Sequence, residues 1–362
     1  MDEFTSLRNQ CTVHLLGHRL NSNIKNVFQE LTDSIGENET FDHYGKGELI
    51  ENFEKEIAET LGKESAVFMP SGTMAQQIAL RIWCESKNNF KVAFHPTCHL
   101  EFAEHLGYQY LHNIKRIAFG GPEFVSDRML TVEDFEKLGD IPAVILIELP
   151  YRPLGGELPS WDSLLAIKEW AKKHGVLMHL DGARLWESKF FYQKEYAEIC
   201  SIFDSVYVSF YKGLGGLTGA CLSGSKAFIE TAKIWQRRHG GNLFTLSPYI
   251  LSARLSFRKN IANIEKFVLR AQEIAKIFSK YPKIRIHPNP PHTNFFLLYI
   301  DEKAEVLNKK QLELMAKYKA SLFPPFENSH LPGFVKTEIH LFENALAFED
   351  EILEKMLSEL FS

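Results

Sequence analysis

The sequence has little cysteine, no long hydrophobic run and no excess of basic residues. Its five cysteines are scattered and odd in number, which favours reduced thiols over a disulfide framework. No apolar stretch is long enough to cross a bilayer, and the polar start MDEFTSLRNQ has no signal-peptide core. A net charge of −5 provides no broad basic surface for nucleic acid. We therefore expect a cytoplasmic protein that binds neither membranes nor nucleic acid.

The remaining composition is that of an ordinary globular protein. The chain has 362 residues, of which 45% are hydrophobic and 24% are charged, and it contains no internal repeat or low-complexity tract. This length is enough for two or three domains, or for one large domain with a smaller one.

Apolar runs alternate with amphipathic segments in the middle of the chain. The run AVILIE at Ala143–Glu148 predicts a buried strand, and Ser160–His174 predicts a helix that Ser160 caps and Gly175 ends. Its buried side is predicted to carry Leu164, Leu165, Ile167 and Trp170. Because another apolar run, beginning at Val176, follows, the three segments form a β-α-β unit and indicate a parallel sheet.

Charged residues follow three of the predicted strands. Asp181 ends the run VLMHLD, Lys212 follows the run SVYVSFY, and Glu148 ends the earlier strand. Ligands of parallel sheets gather at the carboxyl ends of strands, so these side chains are candidates for one shared site. Singly, an Asp-Gly or a Lys-Gly is usually a turn or a solvated loop.

An acid and an amine at strand ends are the groups that pyridoxal phosphate (PLP) requires. The amine can form a Schiff base with the aldehyde, and the carboxylate keeps the ring nitrogen protonated so that the ring accepts electrons. The stretches HLDGARLW and SFYKGLGG resemble motifs of the PLP-dependent threonine aldolase and aromatic amino acid β-eliminating lyase family, and the resemblance extends from about Tyr44 to the C-terminus.

The resemblance implies an aminotransferase-like α/β fold, with a large domain around a mostly parallel seven-stranded sheet and a smaller α+β C-terminal domain. We predict an N-terminal segment at residues 1–40, the PLP-binding large domain at 41–250 and the small domain at 251–362. Because family members have sites at subunit interfaces, a homodimer or homotetramer is also implied.

A Ser-Gly-Thr stretch precedes the helix-like run MAQQIALRIW. Backbone N–H groups at a helix start, with hydroxyls beside them, make an anion site, although capping alone is the commoner role. The family match implies phosphate binding here. The cofactor-binding residues that the resemblance implies are Ser71, Gly72, Thr73, His99, Asp181, Arg184, Ser209 and Lys212.

The stretch KVAFHPTCHLEFAEHLG is rich in histidine. Its spacing does not match a tetrahedral zinc set, so we expect no metal. His99 and Glu104 match a His-x-x-x-x-Glu pattern of the family, which implies that His99 stacks on the cofactor ring and moves protons. The alternative is a packed histidine on a helix face. Lys212, His99 and Asp181 are the predicted catalytic residues.

The resemblance implies that the substrate-binding residues are Arg184, Tyr151 and Lys336. Arg184 is also compatible with an ordinary surface salt bridge. Tyr151 stands where family aldolases have histidine, and a phenol is a poorer base at neutral pH. Lys336, in KTEIH, stands where the family has an arginine, and it supplies charge without the planar fork. An exposed strand lysine is the alternative.

The Gly-rich stretch WQRRHGGNLF also departs from the family. By alignment, Phe244 occupies the position of an arginine that contacts the partner subunit's phosphate, which leaves Arg237 or Arg238 to replace it. A solvated basic turn is the alternative interpretation.

Three functions follow from these residues. The first is cleavage of the Cα–Cβ bond of a β-hydroxy amino acid such as L-threonine or L-allo-threonine, giving glycine and an aldehyde. The second is a PLP-dependent β-eliminating lyase or aminotransferase on another amino acid. The third is a PLP-holding dimer without turnover. We favour the aldolase, and we rank the dimer without turnover last, since the Lys and Asp would then have little reason to be paired.

Overall fold

The computed structural model describes residues 3–18, 23–119, 128–329, 331 and 333–362. Backbone contacts divide the chain into two units, which we call the large unit (Val27–Pro150 and Leu158–Ala262) and the small unit (Met1–Asn26, Tyr151–Glu157 and Asn263–Ser362). The sequence-based boundaries at residues 40 and 250 stay a prediction. Within the described ranges, no helix is long and apolar enough to span a membrane.

The large unit is built on a seven-stranded sheet. In spatial order its strands are Ser65–Met69, Ala220–Gly224, Ser205–Ser209, Leu177–Gly182, Val144–Glu148, Lys91–Phe94 and Lys115–Ile117. The last five of these run parallel, whereas Ala220–Gly224 is antiparallel to both of its neighbours. The predicted mostly parallel seven-stranded sheet is therefore confirmed.

Helices accompany these strands, and several begin at capping residues that the sequence indicates. Ser71 and Ser160 accept hydrogen bonds from the backbone N–H groups of Met74 and Ser163. The α-helices of this part of the chain are Ile24–Asp33, which begins in the small unit, Glu48–Thr60, Gly72–Lys87, His99–Phe102, Gly107–His112, Val132–Glu136, Trp161–His174, Lys189–Tyr192, Tyr196–Cys200, Lys226–Arg238 and Ser247–Asn260, with 3-10 turns at Leu185–Glu187 and Ile261–Asn263.

The small unit has a four-stranded antiparallel sheet and helices, as predicted for an α+β domain. In spatial order the strands are Glu327–Asn328, Val335–His340, Phe295–Ile300 and Ile284–His287, and a short parallel pair joins Val13–His14 to Ala320–Ser321. Its helices are Glu3–Gln10, Ile264–Phe278, Ala304–Tyr318, Glu343–Leu346 and Asp350–Leu360, with a 3-10 turn at Arg152–Leu154.

One sequence-based expectation about a helix is wrong. Leu165 does not lie on the buried side of Trp161–His174, since 38% of it is exposed, whereas Leu164, Ile167 and Trp170 are buried. The helix Ser247–Asn260 ends at Asn260, whose buried amide donates to the carbonyl of Leu214.

An aromatic cluster fills the core beside the strand that leads to Lys212. Phe210 packs against Phe53 at a ring-centroid distance of 5.2 Å, and Trp186 packs against Phe257 at 5.3 Å. The Trp186 indole also donates to the backbone carbonyl of Ser209 at 2.9 Å. Because large aromatic side chains bury much apolar area, these contacts fix the end of the strand just before the lysine.

We predict that Gly155→Ala destabilises the protein more than Gly175→Ala. Both glycines have left-handed backbones, with φ of 68° and 65°, so alanine costs about 1–2 kcal/mol at either position. At Gly155 the added Cβ would also lie 2.3 Å from the carbonyl oxygen of His287, whereas it meets nothing within 4 Å at Gly175. The overlap adds about 1–3 kcal/mol, measurable by urea unfolding. Equal losses would contradict the close approach.

Candidate active site

Two buried carboxyl groups lie side by side at the carboxyl edge of the parallel strands. Glu148 and Asp181 are paired directly across their two strands, and each is less than a tenth exposed. Burial and then the negative charge of Asp181 raise the pKa of Glu148. A Glu148 oxygen accepts the backbone N–H of His99 at 3.0 Å, which fixes the start of the short helix that carries this histidine.

Lys212 follows the neighbouring strand, and its positive charge acts on Asp181. Burial raises the pKa of Asp181, whereas the Lys212 ammonium and the N–H of Ala183 oppose this rise. The Lys212 Nζ lies 5.8 Å from the centroid of the Tyr211 ring. The structure thus brings the predicted acid and amine together at one edge of the sheet.

His99 stands beside a buried acid. Its Nδ1 lies 3.1 Å from Oε1 of Glu104, whose side chain is 2% exposed, whereas the His99 side chain is 38% exposed. Gln77 donates to the other Glu104 oxygen at 3.4 Å. A carboxylate on one ring nitrogen orients the imidazole and leaves the other nitrogen for a ligand or a proton transfer.

The Ser71-Gly72-Thr73 stretch forms the start of the helix Gly72–Lys87. The Ser71 hydroxyl accepts the backbone N–H of Met74 at 3.3 Å, so it caps the helix. Gly72 is required sterically, because a Cβ there would lie 1.9 Å from the hydroxyl oxygen of Tyr207. This tyrosine belongs to the strand before Lys212, so the helix start lies against the edge of the sheet that carries the lysine.

Two other predicted cofactor residues occupy different surroundings. Ser209 is fully buried, and its hydroxyl donates to the backbone carbonyl of Ala183 at 2.7 Å. This bond ties the Lys212 strand to the turn after Asp181. Arg184 follows Asp181 by three residues, and its positive charge opposes the burial that raises the pKa of Glu187. The cofactor roles of Ser209 and Arg184 stay predictions.

No local sequence pattern identified Glu187 or Gln76 as functional residues. Glu187 is 1% exposed, and neither of its oxygens has a hydrogen-bond partner among the described residues. Burial raises its pKa to about 7, against the charges of Arg184 and Lys212. Gln76 is also buried, and its amide donates to Asp181 Oδ2. Both residues lie in a helical pattern or turn that predicts only packing.

Tyr151 and Lys336 belong to the small unit, and their predicted contact with substrate stays a prediction. Tyr151 is 1% exposed. Lys336 is half-buried, its Nζ lies 5.9 Å from the ring centroid of Tyr299, and burial lowers its pKa. Two positions further along the strand, Glu338 accepts hydrogen bonds from Arg152 and His340, each at 3.0 Å.

These partners determine the charge of Glu338. Although burial alone would raise its pKa, the hydrogen bond from His340 and the charge of Arg152 lower the pKa of Glu338 to about 2. Glu338 is therefore ionised at neutral pH, and it partly neutralises the cations beside it.

The Tyr44 loop and the Phe244 loop pack against each other in the large unit. The Tyr44 N–H donates to the Phe244 carbonyl at 2.9 Å, and their rings lie edge to face at 5.4 Å. The guanidinium carbon of Arg237 lies 4.9 Å from the Tyr44 ring centroid. Phe244 is 62% exposed, so this departure from the family leaves an aromatic ring at the surface.

The histidine-rich stretch makes no metal site in the described part of the chain. No three His, Cys, Asp or Glu side chains there are grouped so as to hold an ion. His95 instead lies 2.7 Å from the Thr97 hydroxyl and 3.0 Å from the Arg128 carbonyl.

We predict that Glu187→Gln makes the protein more stable at pH 8 but not at pH 4. The folded-state pKa of about 7 exceeds the ordinary value of 4.5, so this carboxyl loses its stabilising contribution as the pH rises through 7. Glutamine has the same shape without the charge. The gain at alkaline pH should be about 3 kcal/mol in the free energy of unfolding of the cofactor-free protein. Exposed Glu305→Gln is the control, and parallel pH curves for Glu187→Gln and wild type would refute the prediction.

Several known proteins are similar to this chain in both sequence and fold. A candidate L-allo-threonine aldolase from Listeria monocytogenes EGD-E superposes with a TM-score of 0.93 at 38% identity, covering 99% of each chain. A candidate aromatic amino acid beta-eliminating lyase/threonine aldolase from Exiguobacterium sp. 255-15 also gives a TM-score of 0.93, at 36% identity and 99% coverage of each chain. The predicted fold class is confirmed.

Sequence comparison gives the same relationship. The low-specificity L-threonine aldolase 1 of Arabidopsis thaliana is 26% identical over 278 residues, which are 74% of this chain and 76% of the relative. The sequence profile of the beta-eliminating lyase family matches residues 36–303. The chain therefore belongs to the beta-eliminating lyase family, whose members are PLP-dependent lyases.

Proposed function

We propose that the protein cleaves the Cα–Cβ bond of a β-hydroxy amino acid, such as L-threonine or L-allo-threonine, to give glycine and an aldehyde. The observation that carries this proposal is the grouping of Lys212, Asp181 and the His99–Glu104 pair at one edge of the sheet. The names of the Listeria and Arabidopsis relatives support the same reaction.

The residues of the large unit fit PLP. The start of the helix Gly72–Lys87 offers backbone N–H groups to a phosphate, and the absence of a Cβ at Gly72 keeps this helix start close to the sheet. The buried Asp181 carboxylate suits a protonated ring nitrogen, and Lys212 supplies the amine for covalent attachment. When bound, PLP supplies the electron sink that stabilises the electron pair left at Cα after bond cleavage.

We propose that side chains of this protein transfer the protons of the reaction. In our proposal the imidazole of His99 accepts the proton of the substrate β-hydroxyl, while Glu104 holds the ring in orientation and stabilises its positive charge. Lys212 returns a proton to Cα. Arg184, Tyr151 and Lys336 are the residues that we assign to the amino acid, and arginine suits the carboxylate because its planar fork matches two oxygens.

A second reaction is β-elimination, which the Exiguobacterium relative's name and the family's description favour. Products separate the two reactions, since an aldolase releases glycine and an aldehyde from L-threonine or L-allo-threonine. A β-eliminating lyase releases ammonia and a keto acid from a substrate with a leaving group at Cβ. Ammonia without aldehyde would replace our proposal with the second reaction.

We also propose that the protein is a homodimer or homotetramer, on the basis of its resemblance to the family.

We predict that Lys212→Ala loses both covalent PLP and activity. Without the ε-amine no Schiff base to the protein can form, so aldehyde release should fall more than about 1,000-fold. Borohydride reduction followed by peptide mass spectrometry measures the attachment. Lys172→Ala, at an exposed lysine of Trp161–His174, should match wild type. Undiminished turnover by Lys212→Ala would contradict the assignment of Lys212 as the PLP-binding lysine.

We predict that Glu104→Gln lowers kcat by about 10- to 100-fold with little change in bound PLP. The neutral amide still contacts His99 but no longer stabilises a positive imidazole, so the pH profile of kcat should shift as well. Glu101→Gln is the matched control, in the short helix His99–Phe102 just before Glu104, because Glu101 contacts Tyr108 and Arg116 instead. If both variants lose activity equally, the role of Glu104 is structural.

A further inference from the structure

A continuous row of hydrogen bonds runs through the large unit to Asp181. The Trp83 indole nitrogen lies 2.7 Å from Oγ of Ser205, and the same Oγ lies 2.7 Å from Nδ1 of His179. Nε2 of His179 lies 3.0 Å from Oε1 of Gln76, whose amide nitrogen contacts Oδ2 of Asp181. We call these five residues the Trp83–Asp181 chain.

Two regular elements and one strand pairing hold this chain together. His179 and Asp181 are two residues apart on one strand, so their side chains point to the same face of the sheet. Ser205 is paired directly with His179 on the neighbouring strand. Gln76 and Trp83 are seven residues apart on the helix Gly72–Lys87, which places them on one side, two turns apart.

The chemistry of the end groups determines where each proton lies. An indole nitrogen only donates, so the oxygen of Ser205 accepts from Trp83. The Ser205 proton is then available to Nδ1 of His179, and the imidazole proton is on Nε2, where it meets the carbonyl oxygen of Gln76. The Gln76 amide therefore turns its N–H toward Asp181, which accepts as an ionised carboxylate.

The reversed arrangement makes fewer hydrogen bonds. A protonated Asp181 would donate to the Gln76 oxygen, and the amide would donate to Nε2 of His179. The imidazole proton would then lie on Nδ1, facing Ser205. The Ser205 oxygen would receive two donors and its own proton would lose the imidazole as an acceptor. The direction set by Trp83 thus favours the charged form of Asp181.

Burial explains why such a chain is needed. His179 is fully buried, and burial lowers its pKa to about 3, so it remains a neutral ring with one donor and one acceptor nitrogen. Burial also raises the pKa of Asp181, which by itself favours the uncharged acid. The second oxygen of Asp181 accepts the Ala183 N–H at 3.0 Å, so each oxygen has a donor.

We propose that Gln76, His179 and Ser205 are positioning residues that hold Asp181 ionised and in one orientation. This proposal rests on the proposed function, because an ionised carboxylate is the form that keeps the ring nitrogen of PLP protonated. None of the three residues needs to touch the reacting atoms. Their effect reaches catalysis through Asp181, in the way that outer hydrogen-bond partners orient the ligands of a metal.

The first test measures the proton on His179 directly. Holoenzyme labelled with 15N-histidine is studied by long-range proton–nitrogen correlation NMR, and His179→Gln identifies the His179 signals by their loss. We expect the Nε2–H form from about pH 5 to about pH 9, because the ring is neutral and its partners are fixed. An Nδ1–H form, or a signal that titrates in this range, would overturn the proposal.

The second test breaks the chain at two places. Gln76→Met removes the donor to Asp181, and Ser205→Ala removes the hydroxyl that sets the direction. We expect kcat to fall about 10- to 100-fold while KM for the amino acid changes less than about twofold. Ser205→Ala should also convert part of the His179 signal to the Nδ1–H form. Wild-type kcat in both variants would overturn the proposal.

Two further variants separate positioning from folding. Ser223→Ala removes a buried strand hydroxyl that has no hydrogen-bond partner among the described residues, and it should leave kcat and the His179 signal unchanged. Trp83→Phe keeps the ring stacked on Phe228 but removes the first donor, so Nδ1–H should appear in a folded protein. An unchanged His179 signal in Trp83→Phe would overturn the direction assigned to the chain.

The tautomer also separates this proposal from the proposed function. If wild-type holoenzyme shows Nε2–H on His179 but releases no aldehyde from any β-hydroxy amino acid, the proposed reaction fails and the chain is supported. If aldehyde is released and Ser205→Ala and Gln76→Met are as active as wild type, the chain fails and the reaction is supported.

Discussion

The direct pairing of parallel strands is the constraint on which the site depends. Glu148 lies opposite Asp181 and Asp181 lies opposite Tyr207, so three strands end within two residues of one level. Because parallel strands all run in the same direction, their carboxyl ends lie at one edge of the sheet. Residues far apart in sequence therefore meet there, including Lys212, three residues beyond its strand. A shift by one residue would turn Asp181 to the opposite face.

Several carboxyl groups are buried in the large unit, and each is stabilised in a different way. Asp181 receives two hydrogen bonds and the charge of Lys212, whereas Glu148 receives the N–H of His99. Glu187 has no hydrogen-bond partner among the described residues, and its pKa is raised to about 7. Buried carboxyls are unfavourable unless they are paired or protonated, so such a cluster is expected at a functional site rather than in an ordinary core.

Local sequence rules predicted much of the fold and the ends of the key strands. Capping residues, apolar periodicity and the β-α-β pattern identify Val144–Glu148 and Trp161–His174 to within a residue, and the start of Gly72–Lys87 to within two. They fail where burial depends on neighbours from distant sequence. Leu165 has the spacing of a core residue, yet it is 38% exposed.

The sequence by itself determined which groups stand at strand ends, because an apolar run that stops at a charged residue is a local pattern. It therefore predicted that Asp181 and Lys212 follow buried strands and that Ser71 precedes a helix. Only the tertiary structure decided that Gln76, His179 and Ser205 form one hydrogen-bonded chain. These residues come from a helix and two strands, and their types alone are compatible with ordinary packing. Whether these side chains meet depends on distances between the helix and the strands, which no local pattern encodes.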